Sequence, residues 1–384
     1  MIANTIAVLS LGIWVYLLAA RGRFWLGSER DRTKAATPRS WPAVAAVIPA
    51  RNEAACVGKT ISSLMRQDYP GRLTIFLVDD DSDDGTAEVA RSAASAAHDS
   101  HLLTVVTSRS VPPGWTGKLW AVKQGIDAAE ADGSFDYLLL IDADIVHERD
   151  SVRWLVSHAE AGHLVLTSFM AKLRCQSLAE RSHVPAFIFF FQMLFPFSWV
   201  NRANNATAAA AGGCMLVRTA DLRQAGGVGS IRGALIDDCA LARTMKAFGP
   251  IWLGLTDRVH SIRPYPHWRD VKDMISRSAY AQLGYSPLLL LGTTAGLALT
   301  FLAAPLLAVL ADGPARLIGA ATWALMAMAF QPTLRFYRRS PLWGLALPGI
   351  ALLYMFYTLD SAYQYWVGRG GSWKGRVQAN VSHQ

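Results

Sequence analysis

Residues 2–20 (IANTIAVLSLGIWVYLLAA) run without a single charged side chain, and three more apolar stretches, at about 287–311, 316–333 and 342–366, follow Pro287. At 1.5 Å per residue each is long enough to cross most or all of a bilayer's hydrocarbon core. A chain written this way is a polar-surfaced body held between membrane-seeking ends. Its composition agrees, with 52% hydrophobic and only 17% charged residues over 384 positions. Arg21, Arg23 and Arg30 follow the first run directly, and basic flanks mark the cytoplasmic side. The intervening body is therefore expected to face the cytoplasm from a multi-pass position in the inner membrane. No basic region precedes the run and Phe24-Trp25 follows it, which favours an uncleaved anchor over a signal peptide. Three later crossings would put the tail outside, yet Arg335, Arg338, Arg339 and the terminal Arg369, Lys374 and Arg376 are all basic. One stretch is accordingly expected to be re-entrant or interfacial. The predicted divisions are an anchor at 1–22, a soluble domain at 38–285, membrane helices at 286–368 and a basic tail at 369–384.

The net charge of +8 raises the question of nucleic acid. The basic residues are scattered, many of them beside apolar segments, and no zinc-finger, basic-zipper or aromatic ribonucleoprotein pattern is present. Anionic membrane lipid is the better partner. Cys56, Cys175, Cys214 and Cys239 lie far apart, so neither a structural zinc site nor a disulfide framework is expected.

Between Trp41 and Gly284 short β-rich runs alternate with helical segments, the pattern of an α/β domain. Strands are predicted at 44–49, 73–80, 102–108, 137–144 and 164–170, with helices at 54–66, 84–97, 118–130 and 150–161. Continuously apolar strands imply a mostly parallel sheet covered on both faces. The aromatic segment 185–199 (PAFIFFFQMLFPFSW) is short and broken by proline, so it is assigned to the membrane interface or a greasy acceptor entrance, with a buried helix as the alternative.

Chemistry gathers at the carboxyl ends of such strands. The run Val78-Asp79-Asp80-Asp81-Ser82-Asp83-Asp84-Gly85-Thr86 suits a nucleoside, whose imide N–H or ribose hydroxyl can donate to Asp80, while its second half caps the next helix. Ile141-Asp142-Ala143-Asp144 sets two carboxylates one residue apart. Such a pair can share Mg2+ or Mn2+, with phosphate oxygens and water filling the other positions. Gly114-Trp115-Thr116-Gly117-Lys118 opens a helix with a lysine, which suits phosphate, but it lacks the spacing of a nucleoside-triphosphate hydrolase. Asp238, after Ile236-Asp237, stands at a helix start where a carboxylate can take a proton from an attacking hydroxyl. Helix capping alone would also explain it.

VIPARNE (47–53), VDDDSDDGT (78–86), DAD (142–144), GGCMLVR (212–218) and IDD (236–238) resemble, in order and rough spacing, the family 2 glycosyltransferases. Within them the chain looks most like the hopanoid-biosynthesis-associated glycosyltransferase, through GWTGKLWA (114–121), ARTMKAFG (242–249) and GRGGSWKGR (368–376). The resemblance implies a GT-A fold, Rossmann-like with a mostly parallel sheet, flanked by N- and C-terminal transmembrane helices. It implies Asp144 as main metal ligand with Asp142 assisting, Asp80 near the base, and Asp238 as general base. Pro49, Ala50 and Glu53 would line the nucleoside pocket. Gly212 and Gly213 would shape the sugar site, with Asp237 beside them. The family's Gln-x-x-Arg-Trp element falls near Met274–Ser278, where only Arg277 matches; that arginine would still grip diphosphate. Trp373 and Arg376 would supply part of the missing surface.

The expected activity is transfer of one sugar from a nucleotide donor, UDP-linked, to a lipid hydroxyl such as that of a hopanoid. A processive polysaccharide synthase is the alternative enzyme, and a catalytically silent nucleotide-binding membrane scaffold the non-enzymatic one. The incomplete Gln-x-x-Arg-Trp element counts against the first, and the joint presence of Asp80, Asp142, Asp144 and Asp238 against the second.

Overall fold

The computed structural model describes residues 1–32, 36–97, 100–370, 372, 373, 376 and 377. The chain forms two compact units, one of Met1–Ser28, Cys175–Ser198 and Pro264–Gly371, the other of Glu29–Arg174, Trp199–Arg263 and the stretch from Ser372.

The second unit is built on an eight-stranded sheet. Its strands are β1 (Val44–Ala50), β2 (Leu73–Asp79), β3 (Leu103–Thr107), β4 (Tyr137–Ile141), β5 (Ile145–His147), β6 (Leu166–Lys172), β7 (Cys214–Arg218) and β8 (Ile251–Ser261). They lie in the order β3-β2-β1-β4-β7-β6-β8-β5. β1 pairs in parallel with β2 and β4, β2 with β3, and β6 with β8. β7 runs against both β4 and β6, and β5 against β8. The sheet is thus mixed but mostly parallel. All seven residues of β1 are buried, as a central strand covered on both faces requires. The helices Ala54–Met65, Thr86–Ala96, Gly117–Asp132 and Ser151–Ala161 connect the strands. The helix Gly117–Asp132 packs so closely that a Cβ on Gly125 would lie 2.5 Å from Val47 Cγ1 and 2.9 Å from Val78 Cγ2.

Several predicted boundaries shift. β2 ends at Asp79 and β4 at Ile141, because the aspartates that follow leave the ladder to form turns. The helix predicted from residue 84 begins at Thr86, since Asp84 spends its carboxylate on the Ala54 and Thr86 amides. β7 and β8 were not expected as strands.

In the first unit, the helix Leu178–Leu194 begins before the aromatic segment. Ser177 and Glu180 form a reciprocal capping box at its start, and Pro185 is carried inside it. Phe189 and Phe190 are buried in an apolar core with Trp14, Phe301, Phe330 and Tyr354. Among the described residues four helices are long and apolar enough to cross a membrane: Ile2–Ala19, Leu178–Val200, Pro287–Leu310 and Gly313–Phe336. Segment 185–199, expected at the interface or an acceptor entrance with a buried helix as the alternative, lies within Leu178–Val200, and its Phe189 and Phe190 are buried. Segment 342–366, expected as a span, is not among the four. Its helix starts only at Leu347 and carries Asp360, which pairs with Lys272 at 3.2 Å.

Candidate active site

The sheet topology brings the predicted donor residues of the second unit to one edge. Ala50 ends β1 opposite Asp79, and its carbonyl accepts the Asp80 N–H at 2.8 Å. The acidic loop is tied to the loop after β1: Asn52 N–H donates to Ser82 Oγ at 3.0 Å, Asp83 N–H to Asn52 Oδ1 at 3.0 Å, and Glu53 N–H to Thr86 Oγ1 at 2.8 Å. Asp80 is buried, with Arg51 Nη1 at 3.9 Å from its carboxylate.

β7 is antiparallel to β4, so it begins where β4 ends. Asp142 N–H donates to the Gly213 carbonyl at 3.3 Å, which sets Gly212-Gly213 beside the Asp142-Ala143-Asp144 turn. Thr60 Oγ1 holds the turn's middle by donating to the Ala143 carbonyl at 2.8 Å. Asp238 lies in the first turn of the helix Asp237–Lys246 and accepts from Gly212 N–H at 2.9 Å and from its neighbour Cys239 N–H at 2.7 Å.

Lys118 was expected to face phosphate. Its ammonium lies between two carboxylates, 3.0 Å from Asp142 Oδ1 and 3.1 Å from Asp237 Oδ2. Burial works to lower its pKa, but Asp142 and Asp237, then Asp238, outweigh it, so the lysine is held firmly charged. Burial raises the Asp142 pKa against the pull of Lys118, and Asp144 adds to the rise. Burial, then Asp237, push Asp238 up to about 6. A small pocket of about 20 Å³ is lined by Pro49, Lys118, Asp142, Gly212 and Asp237, together with apolar side chains.

Two further residues belong to this edge, and neither was found by sequence reasoning. Arg263 Nη2 lies 2.6 and 2.8 Å from the Glu53 carboxylate oxygens and 3.4 Å from Asp144 Oδ1. Ser261 Oγ donates to Asp144 Oδ2 at 2.5 Å. Glu53, assigned to the nucleoside pocket, is thus engaged with Arg263. Buried carboxylates require a counter-charge, which is the one signal in the sequence, but nothing in the spacing says which arginine answers it. Arg277, on the helix Trp268–Ala279, belongs to the first unit. Trp373 and Arg376 lie in a two-stranded turn of backbone, and their side chains are outside the described residues.

Among the described residues no group of three or more His, Cys, Asp or Glu is arranged to hold a metal. Asp142 and Asp144 still fit a Mg2+ or Mn2+ ion that takes the rest of its shell from donor phosphate and water. They are hard oxygen ligands, and each now balances a side-chain cation, Lys118 or Arg263.

Residues 42–252 match a family model described as glycosyltransferase like family 2. The chain is 31% identical over 130 residues to the 4,4'-diaponeurosporenoate glycosyltransferase of Staphylococcus haemolyticus, a match covering 34% of this chain and 30% of that protein. It is 34% identical over 112 residues to an N-acetylglucosaminyltransferase of Rhizobium leguminosarum bv. viciae, covering 29% of this chain and 24% of that protein. The matches thus span less than a third of those relatives' length. A mannosyltransferase from Pyrobaculum calidifontis, solved in complex with GDP-Man and Mn2+, superposes with a TM-score of 0.59 over 96% of this chain and 99% of that one, at 18% identity. That likeness is one of fold.

Proposed function

This chain belongs to glycosyltransferase-like family 2, and we propose that it is an inverting, metal-dependent enzyme of the hexosyltransferase type. It moves one sugar from a UDP-linked donor to a hydroxyl of a lipid acceptor of the hopanoid class at the cytoplasmic face of the inner membrane. The observation that carries this reading is the position of Asp238, bonded to Gly212 N–H and next to the pocket that Lys118, Asp142 and Asp237 share.

The chemistry asks for three things at one edge of the sheet: a hold on the nucleoside, relief of charge on the departing diphosphate, and a base for the acceptor. Asp80, with Pro49 and Ala50, serves the first. A divalent ion held by Asp144 and Asp142 would neutralise the leaving diphosphate, and Lys118 lies close enough to Asp142 to share that task. Asp238 takes the hydroxyl proton as the acceptor oxygen attacks the anomeric carbon opposite the diphosphate, which inverts the centre. With a pKa of about 6 it is ionised at neutral pH yet basic enough to draw the proton. The membrane-length helices support an acceptor drawn from the lipid phase.

The test is a panel of nucleotide sugars supplied to the purified protein with a membrane lipid extract, read by mass spectrometry. A lipid one sugar heavier, with nucleotide release that depends on metal, is expected. Asp144→Ala should lower release by about 100-fold or more, the several kcal/mol a metal contributes to transition-state charge. Full activity in that variant would remove the metal assignment, and a polymeric product would favour the processive alternative.

A further inference from the structure

The segment that ends β8 grips Asp144 at three points. Ser261 Oγ donates to Oδ2 at 2.5 Å, Arg263 Nη2 stands 3.4 Å from Oδ1, and Ile262 N–H donates to the Asp144 backbone carbonyl at 3.0 Å. Arg263 is in turn anchored on Glu53, whose two oxygens lie 2.6 and 2.8 Å from the same Nη2 atom. Glu53 and Asp144 are each only 7% exposed, so neither carboxylate can rely on water to balance its charge. The guanidinium therefore serves two buried anions. Its contact with Glu53 is the shorter, and its contact with Asp144 is the one that can yield.

We propose that Arg263 is a positioning residue that stands in for the metal at Asp144, neutralising that carboxylate while no ion is bound, and that Glu53 holds it back far enough for an ion to compete. The idea rests on the reading of Asp144 as a metal ligand. Arg263 remains beside the loaded site as a like charge, so it weakens the ion's hold and favours its release with product. Glu53 then acts through Arg263 and not on the nucleoside.

Opposite effects on metal affinity follow from the two ends of one ion pair. Removing the cation in Arg263→Gln should tighten Mn2+ by about tenfold, whereas freeing the guanidinium in Glu53→Gln should weaken Mn2+ by about threefold, for screened charges at these separations. Arg263→Lys keeps the charge and should stay within about twofold of the parent. The experiment titrates Mn2+ alone into the purified full-length protein, with free Mn2+ counted by electron paramagnetic resonance and folding checked by thermal melting. Opposed shifts support the proposal, because a merely structural role would weaken the site in both variants. If Asp144→Asn abolishes binding while Arg263→Gln and Glu53→Gln move together or not at all, this proposal falls and the metal assignment stands. If Asp144→Asn leaves binding unchanged, the metal assignment itself falls and takes the proposal with it. Should Arg263→Gln fail to fold, a Glu53→Gln variant that does not weaken Mn2+ overturns the proposal by itself.

Discussion

Lowering the pH from 7 to 5 should slow transfer by roughly tenfold, because Asp238 acts as a base only when ionised. Burial and then the Asp237 carboxylate lift its pKa from 3.8 to about 6, while Lys118 and the N–H groups of Cys239 and Gly212 pull it back. With that pKa the ionised fraction is about 0.9 at pH 7 and about 0.1 at pH 5; a carboxylate near 3.8 would lose only about 6% over the same interval. The assay is kcat/KM between pH 4.5 and 8.5 in the parent and in Asp238→Asn. The variant should be slower by about 100- to 10,000-fold and should lose the acid limb. Stability should move the other way. A pKa raised in the folded state contributes stability below the unfolded value, near 4, and loses it as pH rises through about 6. Ionised Asp238 therefore weakens the fold at neutral pH by on the order of 1–3 kcal/mol. Asparagine carries no charge and can still accept from Gly212 N–H, so the variant should melt higher at pH 7.5 and almost unchanged at pH 4.5. A flat profile down to pH 4.5, or parental turnover in Asp238→Asn, would refute the assignment.

Lys118→Met withdraws the ammonium that lies 3.0 Å from Asp142 and 3.1 Å from Asp237. Since Lys118 also holds the Asp238 pKa down, the acid limb should move to higher pH, and Lys118→Arg should bring it back. Gly125→Ala places a methyl where Val47 Cγ1 is 2.5 Å away. Overpacking of this kind outweighs the gain in helix propensity and should cost about 1–3 kcal/mol in a thermal or denaturant melt.

The central parallel strands were legible because they are buried on both faces and read as largely apolar runs, as VAAVIPA does in β1. β8 was hidden by its own polar residues. Asp257 and Arg258 lie mid-strand, and Arg258 pairs with Asp31 and Asp150 from distant parts of the chain. β7 was seen as the glycine-led motif GGCMLVR but not as a strand, since five residues carry little periodicity. At the site, residues following strands that pair directly were readable: Ala50, Asp80 and Asp142 each sit at or just past a strand's end. Lys118 was read as a phosphate partner and its contacts with Asp142 and Asp237 were not foreseen, because a lysine at a helix start suits phosphate and carboxylate alike. Ser261 and Arg263 were missed for a different reason. Their value lies in meeting Asp144 from the end of the neighbouring strand β8, 117 positions away in the case of Ser261, and no local pattern records that meeting.

The antiparallel strand in the middle of the sheet also sets an order of birth. β4 and β6 do not pair with each other; β7 fills the gap between them, bonded to both. As the chain leaves the ribosome, β4 and β6 are made first, and each keeps an open edge until Cys214–Arg218 arrives. Open edges invite pairing with other chains. A nascent chain that stalls before residue 214 therefore carries its acidic loop complete, Asp238 not yet made, β4 open on the side that β7 takes, and β6 without either of its partners, β7 and β8.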